Sequence, residues 1–340
     1  MLNVVSLPQI DFPKGFLWGT ATAAHQVEGN DIFSANHYRE ITQDYPEKAG
    51  IACDHYERYP EDFKLMKELK HTAYRMSIAW SRIEPAEGVH DEEALAHYIA
   101  MLNMLKELGI KTFVTLSHGS KPQWFSAKGD FKIRENIKYF ERHVQYLVPG
   151  IADLVDFWLV INEFNIGGGP ALEDVGNFRA NSLIAHAKGY HIIKQYSDRP
   201  ISSAHALRAC LPEDAFDRFD RQFADLDDWL SNEFFFHAIR TGEIVLPFRD
   251  GEFVSELKDS LDYWAINYYC KRIISARKAK VDGKWPTATH LRMIDKEFYL
   301  EDFYPEGLTA GLCRLKDKPV FLTENGVCAD DDRWRIVKLA

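Results

Sequence analysis

The sequence lacks the features that mark several common classes of protein. No apolar run reaches the roughly 18 residues that a membrane-spanning helix needs, and the N-terminal segment MLNVVSLPQIDFPKG has neither the basic start nor the apolar stretch of a secretion signal. Lys and Arg, 41 in all, are scattered among 51 Asp and Glu and leave a net charge of −10, so no basic surface for nucleic acid is predicted. We therefore expect a soluble, cytoplasmic protein with no membrane or nucleic-acid partner.

Cysteine is too sparse and too irregularly spaced to build a framework. The cysteines are odd in number, far apart and never spaced as CxxC, which indicates neither a set of disulfides nor a zinc site. We expect free, buried thiols at Cys53, Cys210, Cys270, Cys313 and Cys328. The consecutive aspartates Asp330, Asp331 and Asp332 predict a solvated helix start rather than a metal site.

The chain does contain a regular alternation of strand-like runs and helical stretches. With 340 residues, 46% of them hydrophobic, it can bury a large core. Runs rich in β-branched and aromatic residues predict the strands of βα units around a parallel sheet. They are Phe16–Ala21, Ala73–Ile78, Thr112–Leu116, Phe157–Ile161, Ile201–His205, Tyr263–Asn267 and Val320–Thr323.

The same alternation bears on the number of domains. No linker or low-complexity tract interrupts it, so we predict a single α/β domain over residues 1–340, of the (β/α)8 TIM-barrel type. Seven predicted strands are one fewer than such a barrel has, and the segment Asp330–Ala340 reads as the beginning of a helix. We therefore expect the domain to be C-terminally incomplete and to lack the eighth strand-helix unit.

The clearest predicted helix lies in the segment EEALAHYIAMLNMLKELGI. Gly109 is placed to end this helix. The apolar residues at helical spacing, which we expect to face the core, are Leu95, Ile99, Leu102, Leu105 and Leu108.

Polar residues collect where the predicted strands end, which in a parallel barrel is the catalytic face. A carboxylate beside a buried strand is costly unless it is partnered or used, so Glu163 after FWLVIN and Glu324 after VFLT are of greatest interest. Two such glutamates suggest glycoside hydrolysis, in which one carboxyl donates a proton and the other attacks the sugar or activates water. From spacing alone, two salt-bridged structural glutamates explain the pattern equally well.

Seven segments of the chain resemble those of the family 1 glycoside hydrolases, the β-glucosidase and β-galactosidase family, and they occur in the family's order. The resemblance covers about residues 11–335. The segments are FPKGFLWGTATAAHQVEG, CDHYERYPEDFKLMKELKHTAYRMSIAWSRIEP, VTLSHGSKPQWF, INE, AINYY, YPEGL and FLTENG.

The resemblance implies a retaining mechanism and a role for each matching residue. Glu163 matches the general acid/base and Glu324 the nucleophile, with the two carboxyl groups expected about 5 Å apart. Arg75 and Tyr269 match residues beside the nucleophile that would keep its carboxylate ionised. The remaining matches would hydrogen-bond the hydroxyls of a β-glucoside or β-galactoside, and no cofactor or metal is implied. These substrate-binding residues are Gln26, His118, Asn162 and Asn267.

The chain also departs from the family's pattern. Phe164 follows Glu163 where proline is usual, Gly119 follows His118 where an aromatic residue is usual, and the family normally continues beyond the ENG motif into an eighth strand and a sugar-binding loop.

Three interpretations stay open. The chain is a glycosidase completed by a second copy of itself or by a complementing C-terminal chain, a catalytically inactive carbohydrate-binding or assembly subunit, or a poorly stable fragment. The first interpretation is favoured because the chain keeps all five of the central site residues together. They are Arg75, Asn162, Glu163, Tyr269 and Glu324.

Overall fold

The structure is a computed structural model that describes residues 11–43, 48–169, 171–247, 249–277 and 304–326. The described residues fall into two compact units. The larger unit comprises Leu17–Ala204 and Phe235–Ala265, and the smaller unit comprises residues 11–16, His205–Phe234 and the described residues from Ile266 onward. The single domain that the sequence predicts stays a prediction.

The strands form one large and one small sheet. They are β1 (Gly19–Ala21), β2 (Ala73–Ser77), β3 (Lys111–Ser117), β4 (Phe157–Asn162), β5 (Ile201–Pro212), β6 (Glu243–Ile244), β7 (Glu252–Phe253), β8 (Trp264–Ile274) and β9 (Val320–Glu324). The large sheet has the order β1-β2-β3-β4-β5-β8-β9, and its pairs from β1 to β5 are parallel. Strands β6 and β7 form a separate antiparallel pair. Each of the seven predicted strands is therefore found in the large sheet.

Helices fill the connections between the strands. They are α1 (Ala24–Val27), α2 (Ala35–Thr42), α3 (His55–Glu68), α4 (Trp80–Ile83), α5 (Glu92–Glu107), α6 (Gln123–Ala127), α7 (Ile137–Ile151), α8 (Leu172–Ile193), α9 (Arg218–Asp228), α10 (Phe234–Thr241) and α11 (Pro305–Leu312). A π-helical turn at Trp229–Glu233 joins α9 to α10. In the part of the chain that the structure describes, no helix is both long and apolar enough to cross a membrane.

Helix α5 illustrates why these segments are helical. The side chain of Asp91 accepts a hydrogen bond from the N–H of Ala94 and so satisfies one of the free donors of the first turn. Leu102 and Leu105 of the predicted stripe are fully buried. The other three members, Leu95, Ile99 and Leu108, are only half-buried, because Tyr98 and Met101 occupy the centre of the buried face.

The core of the larger unit lies on β2, β3 and β4. All five residues of β2 and six of the seven in β3 are buried, as expected for parallel strands that are covered on both faces. Arg75 stands in the middle of β2 and is only 3% exposed. An arginine is almost never buried to this extent unless it is paired, so its surroundings mark a candidate site.

Strands β5 and β8 extend well past their predicted ends at His205 and Asn267. They span 12 and 11 residues, and the N–H of Glu213, just after β5, donates to the carbonyl of Ile274, the last residue of β8. The prediction stopped where the apolar pattern ended. Each extension stays in strand form because a neighbouring strand, not its own apolar pattern, supplies its hydrogen bonds.

The cysteine prediction is partly wrong. Cys53, Cys210, Cys270 and Cys313 are free, as expected, but Cys53 and Cys313 are exposed and the other two are half-buried. Cysteine burial depends on tertiary neighbours that its sequence spacing does not indicate. Cys328, the three consecutive aspartates and the helix expected at Asp330–Ala340 lie outside the described residues.

Candidate active site

The side chains of three predicted residues of the larger unit meet on adjacent strands. Arg75 lies in β2, His118 directly follows β3, and Asn162 is the last residue of β4. The parallel registers pair Arg75 with Phe113 and Ser117 with Ile161. The polar end of each strand therefore lies beside the polar end of the next, as in the catalytic face of a parallel sheet.

Hydrogen bonds join these three side chains into one group, the Arg75–Asn162–His118 chain. The Nη2 of Arg75 donates to Oδ1 of Asn162 at 2.6 Å, and the Nε of Arg75 lies 3.3 Å from Oγ1 of Thr115. The Nδ2 of Asn162 lies 2.9 Å from Nε2 of His118. Because a guanidinium only donates, Asn162 must present its oxygen to Arg75 and its amide N–H to His118.

This arrangement determines the charge of His118. Its Nε2 accepts the hydrogen bond from Asn162, so a neutral ring carries its proton on Nδ1. Burial, together with the positive charge of Arg75, holds the pKa of His118 well below its usual range. The imidazole is therefore neutral at physiological pH and does not add a second cation beside Arg75.

Glu163 is placed by its backbone. The residue takes a left-handed conformation, with φ 49° and ψ 39°, and its N–H donates to the carbonyl of Ala204 at 2.8 Å. The β4–β5 register shifts between Leu159 and Asn162, a bulge that changes the direction of the side chains after it. A left-handed glutamate costs on the order of 1–2 kcal/mol, so the surrounding packing must hold this strained conformation in place.

The bulge also leaves the N–H of Ile161 to find a partner other than a β5 carbonyl. That N–H donates to Oγ of Ser203 at 3.1 Å, and Ser203 lies 2.8 Å from Nδ1 of His186. The Nε2 of His186 donates to the carbonyl of Ser260 at 2.7 Å. Burial lowers the pKa of His186 to about 4, so a neutral, fully satisfied histidine supports the strand that ends at Glu163.

Gln26 lies apart from this hydrogen-bonded group. It belongs to the short helix α1 and is exposed. Helix α1 is tied to β2, because the N–H of Ala24 donates to Oγ of Ser77 at 2.8 Å. No side-chain hydrogen bond of Gln26 to the described residues is found, and its substrate-binding role stays a prediction. His25 beside it bonds Oε1 of Glu40 at 2.9 Å, which is a structural contact.

Tyr269 and Glu324 meet in the smaller unit. The hydroxyl of Tyr269 on β8 donates to Oε2 of Glu324, the last residue of β9, at 2.7 Å. This hydrogen bond fixes the orientation of the Glu324 carboxyl group. The pairing that the family resemblance implies for Tyr269 and Glu324 is therefore present as a direct contact.

Asn267 lies on β8, two residues before Tyr269, and is fully buried. Its Oδ1 accepts a hydrogen bond from Oγ1 of Thr323 at 2.7 Å, and the amide of Asn325 donates to the carbonyl of Tyr268 at 2.5 Å. These contacts hold β8 and β9 together on both sides of Glu324. The substrate-binding role of Asn267 stays a prediction.

One buried ionisable cluster, next to α1, was missed by the sequence analysis. Glu28 ends α1 and is 2% exposed; it accepts hydrogen bonds from the hydroxyl of Tyr98 and from Nε of Arg82. Burial, opposed by Arg82 and Tyr98, raises the pKa of Glu28 to about 7. The cluster anchors the segment that carries Gln26. The sequence around Glu28 is itself polar, HQVEGND, so it carried no local signal that this glutamate is buried.

The chain matches known proteins over nearly its whole length. The sequence pattern of Glycosyl hydrolase family 1 matches residues 8–337. Beta-glucosidase A of Acetivibrio thermocellus is 28% identical over 367 residues, with 96% of this chain and 81% of that protein covered. A 6-phospho-beta-galactosidase of Streptococcus mutans is 27% identical, with 94% and 81% covered.

A solved structure matches as well. The beta-glycosidase from Pyrococcus horikoshii superimposes with a TM-score of 0.85 at 29% identity, covering 96% of this chain and 79% of that one. The predicted fold class, α/β of the (β/α)8 TIM-barrel type, is confirmed. The described residues contain seven strands of that barrel type.

Proposed function

We propose that this chain hydrolyses β-glucosides or β-galactosides with retention of configuration. The chain is a glycoside hydrolase and belongs to glycosyl hydrolase family 1. In this proposal Glu324 is the nucleophile and Glu163 is the general acid/base. The observation that carries the proposal is the hydrogen bond from Tyr269 to Glu324. It fixes the carboxylate of Glu324 in one orientation at the end of a strand, as an attacking group requires.

The first step forms a covalent intermediate. The carboxylate of Glu324 attacks the anomeric carbon of the sugar while the bond from that carbon to the aglycone oxygen breaks. Glu163 gives its proton to the departing oxygen. The products of this step are a free alcohol and a glycosyl ester of Glu324.

The second step releases the sugar. Glu163, now a carboxylate, takes a proton from a water molecule, which attacks the anomeric carbon as the ester bond to Glu324 breaks. Two inversions at the same carbon give net retention. Glu324 returns as a carboxylate, and Glu163 is protonated for the next cycle.

The other predicted residues bind and orient the sugar in this proposal. Asn162 is held by Arg75 on one side and His118 on the other, so its amide is oriented before substrate arrives, as preorganised hydrogen bonding requires. We assign Asn162, His118, Gln26 and Asn267 to contacts with sugar hydroxyls. We assign Arg75 the role that the family resemblance implies, a fixed positive charge that favours an ionised nucleophile.

The sugar and its phosphorylation state are open to direct comparison. One matched relative is described as a β-glucosidase and another as a 6-phospho-β-galactosidase. We expect kcat/KM on the aryl β-glucoside, the β-galactoside and their 6-phosphates to rank these substrates. Cytoplasmic location, a homo-oligomer and a complementing C-terminal chain stay predictions from the sequence.

Trapping of the intermediate tests the proposal. The purified chain is incubated with a 2-deoxy-2-fluoro-β-glucosyl inactivator, its intact mass is measured, and any adduct is located by peptide mapping. We expect one adduct on Glu324, and none in the Glu324→Gln variant. A folded chain that binds sugar but acquires no adduct would instead support the carbohydrate-binding interpretation.

A further inference from the structure

The segment that carries the candidate acid/base has an unusual residue directly after it. The acid/base loop, Glu163–Gly167, begins with the left-handed Glu163 and continues as a 3-10 turn at Phe164–Ile166. A proline at position 164 would press the residue before it toward extended conformations. With phenylalanine in that position the left-handed backbone is accessible, but it must be held by packing.

The ring of Phe164 supplies such packing. The residue is only 3% exposed, and its ring meets the ring of Phe235 on α10 edge to face, with centroids 5.3 Å apart and an interplanar angle of 84°. Phe235 is itself fully buried and lies edge to face on Trp264 at 5.8 Å. The first turn of the acid/base loop is therefore anchored in an aromatic cluster of the larger unit.

The other end of the loop is held by a second ring. A Cβ added to Gly167 would lie 2.4 Å from a ring carbon of Phe178 on α8. Phe178 is 8% exposed and its ring lies 5.3 Å from the Nζ of Lys121, so it has neighbours that limit its movement. The loop backbone is thus packed against aromatic rings at Phe164 and at Gly167.

We propose that Phe164 is a positioning residue for proton transfer by Glu163: its anchored ring holds the left-handed backbone that aims the carboxyl at the departing oxygen. This inference rests on the proposed role of Glu163 as general acid. Loss of the ring would leave substrate binding and the nucleophile in place while the carboxyl shifts. A shift of about 1 Å in a catalytic group can lower the rate about a hundredfold.

Leaving-group dependence tests the proposal, because a departing group that is already a stable anion needs no proton. The value of kcat/KM, which reports substrate binding and the first chemical step but not release of the sugar, is measured for 2,4-dinitrophenyl and for phenyl β-glucoside. For Phe164→Leu we expect roughly a tenfold to hundredfold loss on the phenyl glucoside. On the dinitrophenyl glucoside we expect less than about a threefold change.

The matched control is Phe140→Leu. Phe140 is an equally buried phenylalanine of the larger unit whose ring packs on Trp80 and Phe131. We expect this variant to change both substrates by the same factor. Gly167→Ala, which displaces the ring of Phe178, acts from the other end of the loop, and we expect it to share the leaving-group dependence of Phe164→Leu.

The possible outcomes distinguish a failure of the positioning role of Phe164 from a failure of the acid/base role of Glu163. Glu163→Gln must itself lose far more rate on the phenyl glucoside than on the dinitrophenyl glucoside. If it does and both Phe164→Leu and Gly167→Ala lose rate equally on the two substrates, the positioning role is wrong and the acid/base assignment stands. If Glu163→Gln shows no such difference, or the unmodified chain hydrolyses neither substrate, the assignment of Glu163 fails and the inference fails with it.

Discussion

The two candidate glutamates are held in place by different means. In the larger unit, Glu163 follows a buried strand and is placed by its backbone, through a bulge, a left-handed conformation and a hydrogen bond to Ala204. In the smaller unit, Glu324 is the last residue of β9, a strand in which only Thr323 is buried, and its carboxylate is held by the side chain of Tyr269.

The difference in how the two glutamates are held matches the two chemical tasks that we propose for them. A general acid/base exchanges its proton twice in each cycle, first with the departing oxygen and then with water, and a fixed backbone keeps its carboxyl within reach of both. A nucleophile must face the anomeric carbon when it attacks, and a directed hydrogen bond from a side chain holds it in one orientation. Substitutions in each region can show whether this contrast holds.

The largest expected effect comes from the two glutamates themselves. Glu324→Gln removes the nucleophile and should lower kcat by at least about 10⁴-fold for every aryl β-glucoside. Glu163→Gln should lower kcat/KM by roughly 10²- to 10⁴-fold only for poor leaving groups. Steady-state kinetics on a series of aryl glucosides checks both. Equal losses across the series for both variants would remove the contrast between the two roles.

The next largest effect is expected in the Arg75–Asn162–His118 chain. Asn162→Ala removes one charge-assisted and one neutral hydrogen bond and should destabilise the fold by about 2–4 kcal/mol, and kcat/KM should fall roughly a hundredfold because the preorganised amide is lost.

Asn181→Ala is the matched control for Asn162→Ala. Asn181 is a buried asparagine that accepts from Arg134 and donates to the carbonyl of Phe131. We expect a similar loss in urea-melt stability with kcat/KM nearly unchanged. A fall in activity for both variants alike would indicate that stability alone is responsible.

Tyr269→Phe tests the side-chain support of Glu324. Loss of one hydrogen bond to a charged group is worth about 1.5–3 kcal/mol, so kcat/KM should fall roughly 10- to 150-fold. Tyr190→Phe removes a comparable phenol–carboxylate bond, the one to Asp262 at 3.0 Å, and should leave activity unchanged. An unaffected Tyr269→Phe enzyme would mean that Glu324 needs no such support.

The smallest expected effect concerns the support beneath Glu163. The pKa of His186 is about 4 in the folded protein and about 6.5 in an unfolded chain. The stability it contributes is therefore fully present above pH 6.5 and is lost as the pH falls toward 4. Relative to the unmodified protein, His186→Gln should cost about 2 kcal/mol less at pH 5 than at pH 7.

Urea titrations of both proteins at the two pH values measure this difference. The comparison removes the contributions of other groups, including Glu28, whose raised pKa has the opposite effect: the stability linked to its protonation grows as the pH falls through 7. A cost of His186→Gln that is the same at both pH values would show that the histidine is not buried in neutral form.

Much of the fold could be predicted from the sequence because strand position depends on local composition. The runs from Thr112 and from Phe157 are rich in β-branched and aromatic residues, and both become buried strands of the sheet. The ends of the strands were harder to predict. Strand β5 continues to Pro212 because neighbouring segments supply its hydrogen bonds. Exposure of Cys53 and Cys313 likewise follows from the packing of distant segments.

For the site, the sequence by itself determined which residues are available: a glutamate after each of two apolar strands, an asparagine just before the first glutamate, and an arginine and a tyrosine in or near other predicted strands. Only the tertiary structure decided how each is held. Three features depend on residues far along the chain. They are the bulge that changes the direction of the chain at Glu163, the packing of Phe164 against Phe235, and the protonation state of His118. Burial and hydrogen bonding act through space, and periodicity in sequence carries no record of them.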